Sequence, residues 1–376
     1  MKTKLLLVII DFNGGTATYC RTLAAALRRY FPDEFELSLL LMRNRGLEDQ
    51  DREIFHEIHT GRSRVANDLR RYYQTPLDAL ALKGMIQRIC PDLILTVGTY
   101  AGLLAPLAAG GRPVVLTAHH HASTQLREGR FGRVIGALMR WRFPRFPVIV
   151  PAGGLADDLR DRFGVRDITV IPHGIDAEAV RALAEQAPDD LPPAGSYLVA
   201  CGRLSAEKDY PGMLRAYAIA RAQGLREPLL ILGDGPERSD LEALSRQMGL
   251  GSAVGFLGHR ANPFPYLKNA RCLVLSSVAE GFGLVLLEAM ALGVPVISTD
   301  CPGGPAEVLG GGEYGLLVPP GRPDALADDM LRLATSEPLH RQFSQRAAER
   351  AQQLSLADMA SRYRERLLAV LARPPA

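Results

Sequence analysis

The chain has 376 residues, with 44 Lys and Arg against 41 Asp and Glu and a formal net charge of +3. That length predicts two to three domains at roughly 100–200 residues each, and so even a balance argues against a dedicated nucleic-acid binder. The charge is unevenly spread: residues 1–185 carry 25 basic and 20 acidic side chains, and Arg127 to Arg145 alone holds six Arg and one Glu, a local patch suited to an anion.

Met1 to Lys4 precede the apolar run Leu5–Ile10, which is too short for a signal-peptide core and reads as a first buried strand. Gly14-Gly15 follow, then a helical pattern over Thr16–Tyr30 with Leu23, Ala26, Leu27 and Tyr30 at helical spacing. Further strands are predicted at Phe35–Leu41, Leu93–Val97, Val114–Thr117, Phe146–Val150 and Ile168–Ile171. After the Pro-rich stretch Ala187 to Gly195 the alternation restarts. Strands are predicted there at Tyr197–Cys201, Leu229–Leu232, Gly255–Leu257, Cys272–Leu275, Val294–Ser298 and Gly315–Val318. Continuously apolar strands alternating with helices indicate α/β halves with parallel sheets covered on both faces. Ligands of such sheets sit beyond the strand C-termini, so two facing halves would form one cleft. The expected boundaries are 1–176, 177–355, and a C-terminal helical segment 356–376 returning to the first domain. No apolar run approaches the ~20 residues of a membrane span. The cysteines Cys20, Cys90, Cys201, Cys272 and Cys301 form no C-x-x-C pair, which suits a reducing cytoplasm.

Three segments carry chemistry. Between Ser276 and Met290 a buried strand ends, a Gly-containing turn holds Glu280, and a helix begins near Gly283 or Leu284 with Glu288 about one turn in. Unpaired amides at such a helix start suit a phosphate, and Glu288 suits a ribose diol. An ordinary helix N-terminus with one ion-paired glutamate has the same spacing. In the second segment, Arg203 and Lys208 follow the strand Tyr197–Cys201 through Gly202. An Arg fork and a Lys charge there can hold a diphosphate, although a solvated loop fits equally. The third is Leu232-Gly233-Asp234-Gly235-Pro236, a strand followed by a Gly-rich turn.

In order and spacing, these segments resemble the C-terminal half of the retaining glycosyltransferases of family 4, which have the GT-B fold of two Rossmann-like domains facing across a cleft. The shared residues are Gly202, Arg203, Leu204 and Lys208; 232–236; Phe256 to Gly258; Glu280 and Glu288 in EGFGLVLLE; 288–298; and Gly304, Pro305 and Glu307. The first half shares less: Gly14-Gly15, Leu116 to His119, and Ile171 to Asp176.

The resemblance implies a cytoplasmic enzyme, peripheral on the inner face of the plasma membrane. It would move a hexose or N-acetylhexosamine from a nucleotide-sugar to a glycan or lipid-linked acceptor in surface-glycan synthesis. A UDP-sugar is favoured as donor and GDP-mannose stays open. His119, Glu280, Arg203 and Lys208 would be catalytic. Gly15, Arg203, Lys208, Gly233, Glu280, Gly281, Phe282, Gly283, Leu284 and Glu288 would bind the donor. The run His119-His120-His121 leaves the register open by one residue, and His173, where the family more often has Asn, is assigned no chemical role. The only D-x-D, Asp49-Gln50-Asp51, reads as surface, so no metal or other cofactor is expected. No residue is a convincing nucleophile, which favours front-face transfer with retention. A nucleotide-sugar epimerase or a non-catalytic nucleotide-sugar-binding subunit remains the alternative. The patch Arg127–Arg145 is either a helix with a solvated basic face or a contact with an anionic membrane.

Overall fold

The computed structural model describes residues 2–10, 12, 14–43, 47–49, 51–61, 75–122 and 130–373. The chain divides into two units: Met1–Gly174 with Leu356–Ala376, and Ile175–Ser355.

In the first unit, strands β1 (Thr3–Ile9), β2 (Phe35–Leu41), β3 (Glu57–Thr60), β4 (Leu93–Val97), β5 (Val114–Thr117), β6 (Val148–Val150) and β7 (Ile168–Val170) form one sheet. Their order is β3-β2-β1-β4-β5-β6-β7, and every pairing is parallel. β4 and β5 are buried at every position, which is why they read as unbroken apolar runs. β3 was not anticipated. Its sequence, Glu-Ile-His-Thr, sits at the sheet edge with no fully buried residue, so it lacks the apolar run that marks the other strands.

The second unit repeats the plan with β8 (Leu198–Cys201), β9 (Leu229–Leu232), β10 (Val254–Gly258), β11 (Cys272–Leu275), β12 (Val296–Thr299) and β13 (Leu316–Val318). The order is β10-β9-β8-β11-β12-β13, again parallel throughout. Strand order therefore reverses between β1 and β4 in one sheet and between β8 and β11 in the other. Loops leaving those strands diverge to opposite faces and open a crevice at the carboxyl edge, the usual ligand position of such sheets.

The helix Glu337–Gln353 ends at Leu354, and a second helix, Leu356–Leu371, joins the first unit. Met359, Ala360, Tyr363, Leu367 and Val370 recur on one face and are buried in that unit's core. Each large side chain contributes roughly 1.5–3 kcal/mol by leaving water. Ion pairs of Arg364 with Glu34 and of Arg366 and Arg373 with Asp167 tie its polar face down.

Asp51 is not at the surface. Its carboxylate is fully buried and takes a two-point ion pair from Arg21 Nε and Nη2 at 2.7 and 2.9 Å. Burying a carboxylate is costly without such a partner, so the fold accounts for Asp51, while Asp49 is exposed.

Candidate nucleotide-sugar site

In the second unit the loops after β8 and β11 are stitched together at the reversal point. Val278 N donates to Glu207 O at 2.9 Å, and Ser276 Oγ donates to the carbonyls of Lys208 and Asp209 at 2.7 and 3.0 Å. Asp209 has φ 45° and caps the following helix through Gly212 N. This left-handed residue, unusual outside glycine, ends the turn that carries Lys208. Lys208 Nζ lies 2.5 Å from Glu280 Oε1, and Ser277 Oγ donates to that same oxygen at 2.6 Å. The two side chains are only 20% and 10% exposed, so water screens the pair weakly. Arg203 is exposed on the same loop; its carbonyl accepts from Ser205 Oγ at 3.4 Å, and its guanidinium has no ion-pair or hydrogen-bond partner among the described residues.

Two glycines hold the Glu280 turn. Gly303 has φ +130°, and a Cβ there would stand 1.8 Å from Glu280 O; one at Gly304 would stand 2.5 Å from Phe282 Cα. Glu280 N also donates to Pro302 O at 3.1 Å. Gly303→Ala must therefore displace the turn and strain its own backbone, and urea unfolding should show a loss of about 3 kcal/mol.

The helix Leu284–Ala291 starts from Gly283, at φ +86°, with no side-chain cap and no acidic residue in its first turn. The amides of Gly281, Gly283 and Leu284 meet no acceptor among the described residues, while Phe282 is buried beneath the turn. Glu288 lies on this helix, half-buried and without a hydrogen-bond or ionic partner among the described residues. Burial pushes its carboxyl up to about 7. Burial and the charge of Glu288 in turn push the Cys201 thiol up to about 12, which places Glu288 beside the end of β8. The site thus combines an exposed guanidinium, a paired ammonium, bare amides and a lone carboxylate. Gly233 stands apart from this set: its amide donates to Gly258 O at 2.8 Å, and a Cβ would stand 1.9 Å from Gly202 O. Its lack of a side chain lets β8 and β9 end in close contact.

In the first unit, Gly15 occupies the first turn of the helix Gly14–Tyr30, and Tyr19 follows one turn later. Tyr19 packs on His119, ring centroids 4.2 Å apart. Thr117 Oγ1 donates its single proton to Thr96 O at 2.8 Å and lies 2.8 Å from His119 Nε2. With that proton on Thr96 O, His119 Nε2 is the donor to Thr117 and Nδ1 is an acceptor, buried without a partner among the described residues. Burial first, then His173 and His120, hold the ring well below the usual histidine range. His120 is exposed, and His121 Nδ1 turns toward Asp158 Oδ2 at 3.8 Å, so the three histidines meet three surroundings. His173, given no role from sequence, is stacked on His119; only its distance along the chain concealed this.

Of the basic patch, Arg127 and the Arg130 side chain lie outside the described residues. On the helix Arg130–Arg142, Ile135 and Met139 are buried, whereas Val134, Leu138 and Trp141 are 57%, 39% and 52% exposed. Arg142 and Arg145 lie over the Trp141 ring at 4.9 and 5.3 Å, and Arg133 and Arg140 are exposed. No helix among the described residues is long and apolar enough to cross a membrane.

Two family models account for most of the chain: "Glycosyltransferase Family 4" matches residues 13–179 and "Glycosyl transferases group 1" matches residues 185–350. The chain is 24% identical over 346 residues to the N-acetylgalactosamine-N,N'-diacetylbacillosaminyl-diphospho-undecaprenol 4-alpha-N-acetylgalactosaminyltransferase of Campylobacter jejuni, covering 90% of this chain and 92% of that one. It is 41% identical over 121 residues to the N-acetyl-alpha-D-glucosaminyl L-malate synthase of Bacillus anthracis, about a third of either chain (32% of each). Among solved structures, the sucrose-phosphate synthase of Thermosynechococcus elongatus superposes with a TM-score of 0.81 at 22% identity, covering 98% of this chain and all (100%) of that one. Anabaena HepE in complex with UDP and glucose superposes with 0.78 at 20% identity, over 98% and 100% of the two chains. These similarities establish the fold.

Proposed function

The chain belongs to the family 4 glycosyltransferases of GT-B fold, and we propose that it transfers a sugar from a nucleotide-sugar, a UDP-sugar in preference to GDP-mannose, to a glycan or lipid-linked acceptor in surface-glycan synthesis. One observation carries this reading. At the strand reversal of the second unit, Lys208 and Glu280 are locked together on segments that also carry an exposed Arg203, amides without an acceptor and a Glu288 without a partner among the described residues.

Arg203, Lys208 and the amides of Gly281, Gly283 and Leu284 would take the diphosphate. Glu288 would accept from the ribose diol, and Glu280, fixed by Lys208 and Ser277, from the sugar. His119 Nδ1 would accept from a substrate hydroxyl. Transfer would proceed with retention. The acceptor oxygen bonds to the anomeric carbon on the face from which the phosphate departs, and the acceptor proton passes to the leaving phosphate oxygen. Glu280 is held by two hydrogen bonds to one oxygen, a poor state for a nucleophile. The protein contributes fixed charge and orientation. Cations and amides fill the part a divalent ion plays elsewhere, so transfer should persist in EDTA.

A thermal-shift screen against UDP, GDP, ADP and their sugars tests the donor reading. At a ligand concentration 100-fold above Kd, stabilisation by about 2.7 kcal/mol is expected, with UDP-sugars foremost; no shift from any nucleotide overturns it.

Contact with an anionic membrane surface on the cytoplasmic side belongs to the same proposal. Val134, Leu138 and Trp141 form an exposed apolar stripe flanked by Arg133, Arg140 and Arg145, the composition of an interfacial helix. Reversing the three arginines to Glu should weaken binding to phosphatidylserine vesicles about 100-fold or more, at roughly 1 kcal/mol per basic residue. Equal binding would reject the contact.

A further inference from the structure

His173 lies in the segment that closes the first unit, held there by Gly174 N donating to Met359 Sδ at 3.2 Å. Its ring is nearly parallel to that of His119, with centroids 5.5 Å apart and planes 12° apart. Tyr19 packs against both rings, 4.2 Å from His119 and 5.1 Å from His173. The Tyr19 hydroxyl donates to that of Tyr363 at 2.9 Å, which anchors it to the C-terminal helix. His119 and His173 are 9% and 5% exposed, so neither ring owes its orientation to water.

Two facts about His119 need an explanation. With the Thr117 proton on Thr96 O, its Nε2–H is committed to Thr117, and its Nδ1 is a buried acceptor that no donor among the described residues satisfies. Leaving such a group unpaired costs about 1–3 kcal/mol. A free imidazole could avoid that cost by rotating about Cβ–Cγ, whereas moving its proton to Nδ1 would only leave a buried unpaired donor there. A ring packed against both Tyr19 and His173 has no room to turn.

We infer that His173 is a positioning residue for His119: its stacked ring fixes the His119 plane, so that Nε2–H stays on Thr117 and Nδ1 faces a substrate hydroxyl as an acceptor. The link to turnover rests on the transfer reading above, whereas the ring geometry does not. A flat side chain at 173 is required by this inference, and bulk alone is insufficient. Aliphatic and planar replacements therefore separate positioning from packing.

The test is ring 15N NMR of the full chain, with the His119 resonances assigned by their loss in His119→Gln, together with steady-state kinetics. In the wild-type chain the expected spectrum has a protonated Nε2 and a bare Nδ1. His173→Leu, which fills the space without a flat face, should fold and yet show resonances averaged between tautomers. Its kcat should fall about 10- to 100-fold, the scale of a small misplacement at a reacting centre, with the donor KM changed far less. His173→Asn, planar and smaller, should restore the wild-type spectrum and most of kcat. A wild-type spectrum with Nδ1 protonated, or an unchanged tautomer and kcat in His173→Leu, overturns the inference. If His119→Gln itself transfers sugar at the wild-type rate while the spectra behave as expected, positioning stands and the role of His119 in transfer falls.

Discussion

Replacing Lys208 with alanine should lower the transfer rate about 10²- to 10³-fold while leaving the parallel sheet of the second unit intact. That is the usual loss when one donor is removed from a preorganised anion site. The effect should be large because Lys208 has two tasks. Its ammonium would meet the charge that develops on the departing diphosphate, and it holds Glu280 Oε1 at 2.5 Å. Without it the Glu280 carboxylate keeps, among the described residues, only the Ser277 hydroxyl, in a position 10% exposed. Breaking a fully buried pair costs about 3–5 kcal/mol; partial access to water brings this one down to roughly 1–3 kcal/mol. Adding Glu280→Ala should therefore recover stability in urea and no activity. Near-wild-type turnover in Lys208→Ala would remove the diphosphate site from the proposal.

Glu288→Gln should do the opposite to stability and similar harm to function. Burial raises the Glu288 carboxyl from 4.5 to about 7 in the folded chain. Below pH 4.5 the group is protonated in both folded and unfolded states and costs nothing. As pH rises through 7 the folded chain must either keep a proton that the unfolded chain has released or bury an unpaired charge. Stability accordingly falls across that window, by about 3 kcal/mol in all. Glutamine removes the titration, so the variant should be more stable than wild type at pH 8 and nearly equal at pH 4.5. Nucleotide-sugar affinity should fall about 10- to 150-fold at pH 8, the worth of a hydrogen bond to a charged acceptor. A cost to the empty site that is recovered on binding is how a functional position is expected to depart from the stability optimum.

Much of this was legible in the sequence because parallel sheets covered on both faces leave unbroken apolar runs. β4, β8 and β11 stand within a residue of where the runs Leu93–Val97, Tyr197–Cys201 and Cys272–Leu275 put them. β3 escaped because an edge strand with one exposed face needs no such run. The start of the helix at Leu284 was legible from Gly283, since glycine tolerates the left-handed cap. The partnerships within the candidate site were not. Lys208 and Glu280 are 72 residues apart, and only the strand order β8-β11 makes their loops neighbours. Asp51 read as surface because an acid in a polar stretch gives no sign of the Arg21 waiting across the fold. His173 read as inert for the same reason, since ring stacking leaves no spacing signal in a chain.

The most direct measurement is proton release on donor binding, by calorimetry at pH 6 in buffers of different ionisation enthalpy. The titrant is the nucleotide-sugar that stabilises the chain most, whose diphosphate does not titrate near that pH. With its carboxyl at about 7, Glu288 in the empty site holds about 0.9 proton at pH 6. A ribose diol donating to the carboxylate favours the charged form. The expected result is release approaching 0.9 proton per nucleotide-sugar (about nine-tenths, following the linkage relation) and none in Glu288→Gln. Tight binding with no release, or the same release from both chains, would contradict a nucleotide held on Glu288 in the second unit.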